Sequence, residues 1–255
     1  MIKDYAKYTT YKDVEDLKRL DFIINSVRAL NNPNAKILDI GCGNGNMSLA
    51  LGSLGYFVTG IDIDKTSIEH ATILNTFKNV KFEVNDANSL AVKDAFDVVV
   101  CSEVLEHLKQ PRELTESIYR ILKPGGVFIA TVPNGYGPRE VLITRPMQWL
   151  HQKGWDKQIV AFKKLLGYDA KTMQSSNEDL LHIHFFSLTA FMRLMHDIGF
   201  VNIDFSNADF LERIFPFSFF TRRIKLLQSF DCWIANYLPR QLTCGFYTSW
   251  TKVVK

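Results

Sequence analysis

The chain has 255 residues, 47% of them apolar, with a formal net charge of +3, which is enough apolar material to fill one large core. Acids and bases are interspersed, without the clustered basic surface that nucleic acid requires. No run reaches the roughly 18 apolar residues of a spanning helix, Met1-Ile-Lys-Asp-Tyr5 has no leader-like apolar core, and Cys42, Cys101, Cys232 and Cys244 form no Cys-x-x-Cys pair, so we expect reduced thiols and a cytoplasmic protein.

Residues 1–34 read as an N-terminal helical cap. Tyr5, Tyr8 and Tyr11 recur every three residues, either as a cover over a ligand or as plain packing. Val14, Leu17, Leu20, Ile23, Ile24, Val27 and Leu30 then take the 3–4 spacing of an amphipathic helix over 12–30. From 35 to 133 the pattern alternates, with strands at 36–40, 57–61, 80–84, 96–101 and 126–132. Helices are expected at 46–54, 65–76, 88–92 and 111–122. Such alternation implies a doubly wound, mostly parallel sheet. Ligands of these sheets bind beyond the carboxyl ends of the strands.

After Pro133 the alternation stops. Residues 134–183 hold Trp149, Trp155 and a predicted helix at 157–166, and we read them as a helical lid insertion. Residues 184–255 complete the sheet. Ser187 is placed to cap a helix over 188–197 that Gly199 ends. Strands follow at 201–205 and 246–253, separated by an aromatic-rich helical insert at 207–243. Within it, 210–238 carries Arg222, Arg223 and Lys225 among aromatic residues. That composition suits packing over the chain's own cavity, a homodimer face or peripheral membrane contact.

The densest information lies in Asp39-Ile-Gly41-Cys-Gly43-Asn-Gly45, between an apolar strand and a helix. Glycines permit positive φ and close approach of backbone to ligand. Asp62 ends the next strand, 21 residues beyond Gly41, where a carboxylate reaches a ribose diol or caps a helix. A dinucleotide fingerprint would need glycine at position 46, which is Asn. His182 and His184 share a face if extended, but a metal pair would need a third ligand and no spacing nominates one, so no metal is expected.

Asp-x-Gly-x-Gly-x-Gly resembles the cofactor loop of class I S-adenosylmethionine-dependent methyltransferases. Cys101-Ser-Glu-Val-Leu-Glu-His-Leu108 and Leu122-Lys-Pro-Gly-Gly-Val-Phe-Ile-Ala130 resemble that family's fourth- and fifth-strand motifs, and the core is similar to that of the ubiquinone-biosynthesis methyltransferases. The resemblance implies a Rossmann-like, seven-stranded sheet ending in an antiparallel pair. It implies S-adenosylmethionine as cofactor and S-adenosylhomocysteine as product. On this chain it places Asp39, Gly41, Cys42, Gly43, Ser102 and Arg19 at the methionine end, Asp62 on the ribose, and Ile63, Asp86 and Ala87 around the adenine. Asn85 or Asn88 would serve the adenine equally well.

The expected function is methyl transfer to a small molecule. A hydroxyl acceptor, in a biosynthetic or surface-glycan pathway, needs a base, for which His182, His184 and His107 are the candidates, with Glu103 behind them. The alternatives are N- or C-methylation of a small metabolite, or a non-catalytic nucleoside-binding subunit.

Overall fold

A computed structural model describes residues 4–90, 92–155, 182–211, 214, 217–221 and 224–253. Seven strands form one sheet in the order β3-β2-β1-β4-β5-β7-β6. They are β1 (Lys36–Ile40), β2 (Phe57–Asp62), β3 (Val80–Val84), β4 (Phe96–Ser102), β5 (Leu122–Pro133), β6 (Phe200–Asn207) and β7 (Gly245–Lys252). The first five pair in parallel, while β7 runs antiparallel to both β5 and β6. The sheet is therefore of the Rossmann-like type expected. Strand order reverses between β1 and β4, which opens a crevice at their carboxyl ends.

The helices are α1 (Val14–Arg28), α2 (Asn46–Ser53), α3 (Lys65–Leu74), α4 (Pro111–Ile121), α5 (Arg145–Gln152), α6 (Leu188–Ile198), α7 (Phe217–Thr221) and α8 (Lys225–Ala235). Each sheet face buries one apolar layer. Leu20, Ile23, Ile24 and Val27 of α1 pack with Ala50 and Leu51 of α2 on one side. Leu114, Ile118 and Ile121 of α4 pack with Phe191 and Met195 of α6 on the other. Val98–Cys101 of β4 are buried, as expected for a strand covered on both faces. Ser187 accepts the Ala190 N–H at 3.2 Å and Gly199 closes α6 at φ +107°, so the predicted caps are present.

Several local expectations are corrected. β5 begins at Leu122, because Lys123-Pro-Gly-Gly126 bends into the strand past an irregularity at Phe96/Val98, with Gly125 at φ +76°. The helix expected at 88–92 is a short 3-10 turn, Ala87–Ser89. Residues 134–155 contain a π-helical turn, Glu140–Thr144, which continues into α5. No residue of α5 is buried, so it carries no core-facing stripe for periodicity to detect. The helix expected at 157–166 lies outside the described residues. Tyr5 is buried with its hydroxyl on Asp21, and Tyr8 sets its ring edge against Phe77 at 4.9 Å. Tyr5 therefore packs in the interior, while Tyr8 stays at the surface.

Candidate active site

The loop after β1 is held in a left-handed course. Gly41, Gly43 and Gly45 have φ of +67°, +51° and +82°. A Cβ on Gly41 would lie 2.3 Å from Val104 Cγ2, so the loop is pressed against the segment that follows β4. The N–H groups of Gly41 and Cys42 donate to the Ile61 carbonyl at 2.9 and 3.1 Å. Gly43 N–H donates to Asp62 Oδ2 at 2.9 Å, and Asp64 N–H donates to Asp62 Oδ1 at 2.9 Å. Each carboxylate oxygen keeps acceptor capacity for a diol. The N-cap of α3 is Asp64, which accepts from Thr66 and Ser67, so the alternative reading of Asp62 as that cap does not hold.

Asp39 is buried and accepts the Ser48 hydroxyl at 2.6 Å. Burial, with a smaller contribution from the Asp62 charge, pushes its carboxyl up to about 7. Burial likewise pushes the Cys42 thiol up. Ile63, directly beyond Asp62, is 75% exposed and offers an apolar face at the strand end. Asp86 accepts the Asn88 N–H at 2.9 Å, and Ala87 is buried beneath the turn. Asn85 has its side-chain oxygen bonded by Ser89, which leaves Asp86 the more open of the two acceptors.

At the end of β4, the Ser102 and Thr131 hydroxyls lie 2.9 Å apart. Glu103 has φ +56°, a sparsely populated value for a non-glycine residue and one associated with functional sites. Its carboxylate accepts from Thr131 at 3.0 Å and lies 3.8 Å from Arg19. Arg19 is buried and also meets Asp16 at 2.7 Å and Glu15 at 4.0 Å. The arginine expected at the methionine end is thus present beside the crevice, already embedded among acids.

The three candidate histidines separate. The Ile183 and His184 N–H groups both donate to the Glu106 carbonyl, at 2.8 and 2.9 Å, which brings the returning chain over the turn Leu105–His107. His182 then lies edge-on to His107, ring centres 5.1 Å apart. His184 turns elsewhere. Its Nε2 meets the Lys109 carbonyl at 2.9 Å and its ring stacks on Phe186. Two buried carboxyls that sequence did not nominate complete the group. Glu140, from the π turn, meets His182 Nδ1 at 3.3 Å. Glu106 places Oε1 3.5 Å from His107 Nε2, and neither Glu106 oxygen has a hydrogen-bond partner among the described residues. Burial, and then the Glu103 charge, push the Glu106 carboxyl well above the usual range. One ligand atom from each of Glu106, His107 and His182 lies within 4.8 Å of the others, so these three can hold a cation.

The residues around the crevice fit a nucleoside with a charged tail. Asp62 and Asp86 supply carboxylates, Ile63 supplies an apolar face, and the loop has no room for a side chain at Gly41. A polar cleft lined by Glu15, Arg19, Glu103, Arg139, Asp209 and Tyr247 opens beside Glu103. A roomier depression of about 210 Å³ lies against α3, lined by Asn44, Asn46, His70 and Ile73, with none of His107, His182 and His184 in its wall.

Comparison with known proteins identifies the family. The family described as "Methyltransferase domain" matches residues 15–204. The "Ubiquinone biosynthesis O-methyltransferase" of Pseudomonas fluorescens (strain Pf0-1) is 36% identical over 135 residues, which is 50% of this chain and 57% of that protein. That of Idiomarina loihiensis is 32% identical over 158 residues, 60% of this chain and 58% of that protein. The chain thus spans somewhat over half the length of these curated relatives. Among solved structures, a SAM-dependent methyltransferase of Methanosarcina mazei aligns with TM-score 0.54 at 23% identity, over 88% of this chain and 95% of that one. An S-adenosylmethionine-dependent methyltransferase of Mesorhizobium loti aligns with TM-score 0.58 at 16% identity, over 91% and 99%. The [4+2]-cyclase SpnF shares the fold as well, with TM-score 0.57 at 16% identity over 93% and 82%. The fold alone therefore does not fix the reaction.

Proposed function

The chain belongs to the methyltransferase-domain family, among the class I S-adenosylmethionine-dependent enzymes, and we propose that it transfers the methyl group of S-adenosylmethionine to a hydroxyl of a small molecule. The observation that carries this reading is the glycine loop locked to Asp62 at the point where strand order reverses. Asp62 would hold the ribose diol, and Ile63, Asp86 and Ala87 would surround the adenine. Gly41, Cys42, Gly43, Asp39, Ser102 and Arg19 would line the methionine end. Bound there, the cofactor supplies a sulfonium methyl already activated for displacement, so the protein contributes position and exclusion of water.

The hydroxyl acceptor is supported by the O-methyl transfer named for the relatives and by the paired histidines. His182, oriented through Nδ1 by Glu140, takes the hydroxyl proton, with His107 beside it. Residues 134–183 serve as the acceptor side of the site and 1–34 as its cap. A second reading rests on the convergence of Glu106, His107 and His182. A divalent cation held by them would bind the acceptor oxygen and make it easier to ionise. Turnover that survives exhaustive chelation selects the histidine base. Loss restored by added Mg²⁺ or Zn²⁺ selects the cation.

Calorimetry tests the cofactor assignment. S-adenosylhomocysteine should bind with a Kd on the order of micromolar, and NADH should not bind. Asp62→Ala should weaken the complex by about 1.5–3 kcal/mol. Tight NADH binding, or unchanged affinity in the variant, removes the assignment. For the acceptor, alanine variants of His107, His182 and His184 are assayed separately on hydroxyl compounds. If every one keeps at least about a third of wild-type kcat, no histidine is the base and the hydroxyl reading fails.

A further inference from the structure

α8 is amphipathic in an unusual sense, since its outward face is the apolar one. Its inward positions Gln228, Cys232 and Ala235 are buried. Its outward positions are Leu226 at 77% exposure, Phe230 at 55%, Trp233 at 54% and, one turn on, Tyr237 at 74%. Steps of four, three and four residues align these side chains in one stripe. The rings support one another, with Phe230 stacked on Trp233 at 5.8 Å and Trp233 against Tyr237 at 5.1 Å. Ile224 and Leu242 extend the exposed apolar surface at either end.

The sequence of the insert that carries the stripe is basic on balance. Across residues 207–243 the sequence has Arg213, Arg222, Arg223, Lys225 and Arg240 against Asp209, Glu212 and Asp231. Asp231 is half-buried and accepts the N–H groups of Phe210 and Leu211 at 2.8 and 2.9 Å, so its carboxylate serves the loop before α7. The whole chain carries only +3, and this insert, with five bases against three acids, accounts for two of those charges.

The geometry points to a docking surface for an anionic lipid bilayer, made by Leu226, Phe230, Trp233 and Tyr237 with the exposed Lys225 at the start of the same helix. Aromatic residues with one apolar and one polar end settle at the level of lipid headgroups. Basic side chains beside them are attracted to anionic lipid. A second copy of the chain is the poorer occupant. An isologous contact would set this net-basic insert against itself. No described helix is long and apolar enough to cross a membrane, so the contact is peripheral. The face is tied to the body of the protein, because Lys18 of α1 donates to the Cys232 carbonyl and to Asn236 Oδ1. It is also tied to the end of β5, where the Asn134 amide donates to the carbonyls of Gln241 and Thr243. The inference does not depend on which acceptor is methylated.

The full chain is sedimented with phosphatidylcholine vesicles, with and without a phosphatidylglycerol fraction. Binding should require the anionic lipid and weaken as salt is raised. The double variant Phe230→Ser/Trp233→Ser removes two exposed rings and should retain the wild-type melting temperature. Its partitioning should fall by about tenfold or more. Absence of binding, binding to neutral vesicles that ignores salt, or equal binding by the variant overturns the proposal. So does a wild-type dimer in sedimentation equilibrium that the same double variant dissolves, because the face is then covered by a second copy.

Discussion

Glu140 is fully buried, and one of its oxygens meets His182 Nδ1 at 3.3 Å while the other has no partner among the described residues. A carboxylate in that position fixes the tautomer and the angle of the imidazole it serves. Glu140→Gln keeps the shape and removes the charge. We expect kcat to fall by about 10–100-fold with S-adenosylhomocysteine affinity unchanged. Equal loss of kcat and of product affinity would instead mean a disturbed fold. Asp39 makes a separate, pH-dependent prediction. Its folded carboxyl sits at about 7 against an ordinary 3.8. The folded state therefore holds this proton more tightly than the unfolded state. The associated stability is complete below about pH 4 and is lost as pH rises to about 7. Asp39→Asn still accepts from Ser48 but cannot ionise. Denaturant midpoints should converge in acid and diverge in favour of the variant near pH 8, by up to about 4 kcal/mol. Parallel curves for the two proteins would refute a raised carboxyl. Asp39 was legible in the sequence from its place before the glycines. Glu140 was not, since its partner lies 42 positions away and no local pattern joins them.

At the level of elements, the loop and the turn after β4 fit one another through Gly41 and Val104. An alanine at 41 meets two penalties, a left-handed φ and a methyl 2.3 Å from Val104 Cγ2. Together they should cost about 2–4 kcal/mol of stability and weaken cofactor-product binding. Adding Val104→Ala should recover the packing part while the φ penalty stays. Chemical denaturation of the single and double variants separates the two, and full recovery in the double variant would show that backbone strain contributes nothing. Elements of this kind were readable because their signals are local: apolar runs for β1 to β4, glycines for the loop, Ser187 and Gly199 for α6. The π turn and α5 escaped detection because Val141, Leu142 and Trp149 face outward. A helix without a buried stripe leaves no hydrophobic period to find. The start of β5 was missed for a different reason: Pro124 and Gly125 interrupt the apolar run, and only the pairing of Leu122 with Phe96 ahead of them and of Val127 with Val98 behind them shows that the strand spans the irregularity.

Across the whole molecule, the alternation of strands and helices fixed the architecture, but the ties between its distant parts left no trace in linear order. Glu15 of α1 accepts the Tyr247 hydroxyl of β7 across 232 positions. Lys18, one turn along α1, sends its ammonium to the Ala208 carbonyl at 2.8 Å, the Cys232 carbonyl at 3.2 Å and Asn236 Oδ1 at 2.8 Å. Its partners lie 190 or more residues away. One side chain thus holds α8 and the exit of β6 against the cap helix, and burial lowers the ammonium pKa without removing its donors. Lys18→Met keeps the apolar stem and leaves those acceptors without the ammonium. The cost should be about 1–3 kcal/mol, and because it falls on one packed unit it should be felt there first. Hydrogen exchange of the amides at 225–236 should accelerate by about 5–150-fold, with β1 and β4 protected as before. Equal acceleration throughout the sheet would show that α8 opens only with the whole domain. Unchanged exchange would show that burial of Cys232 and Ala235 holds the helix without the lysine.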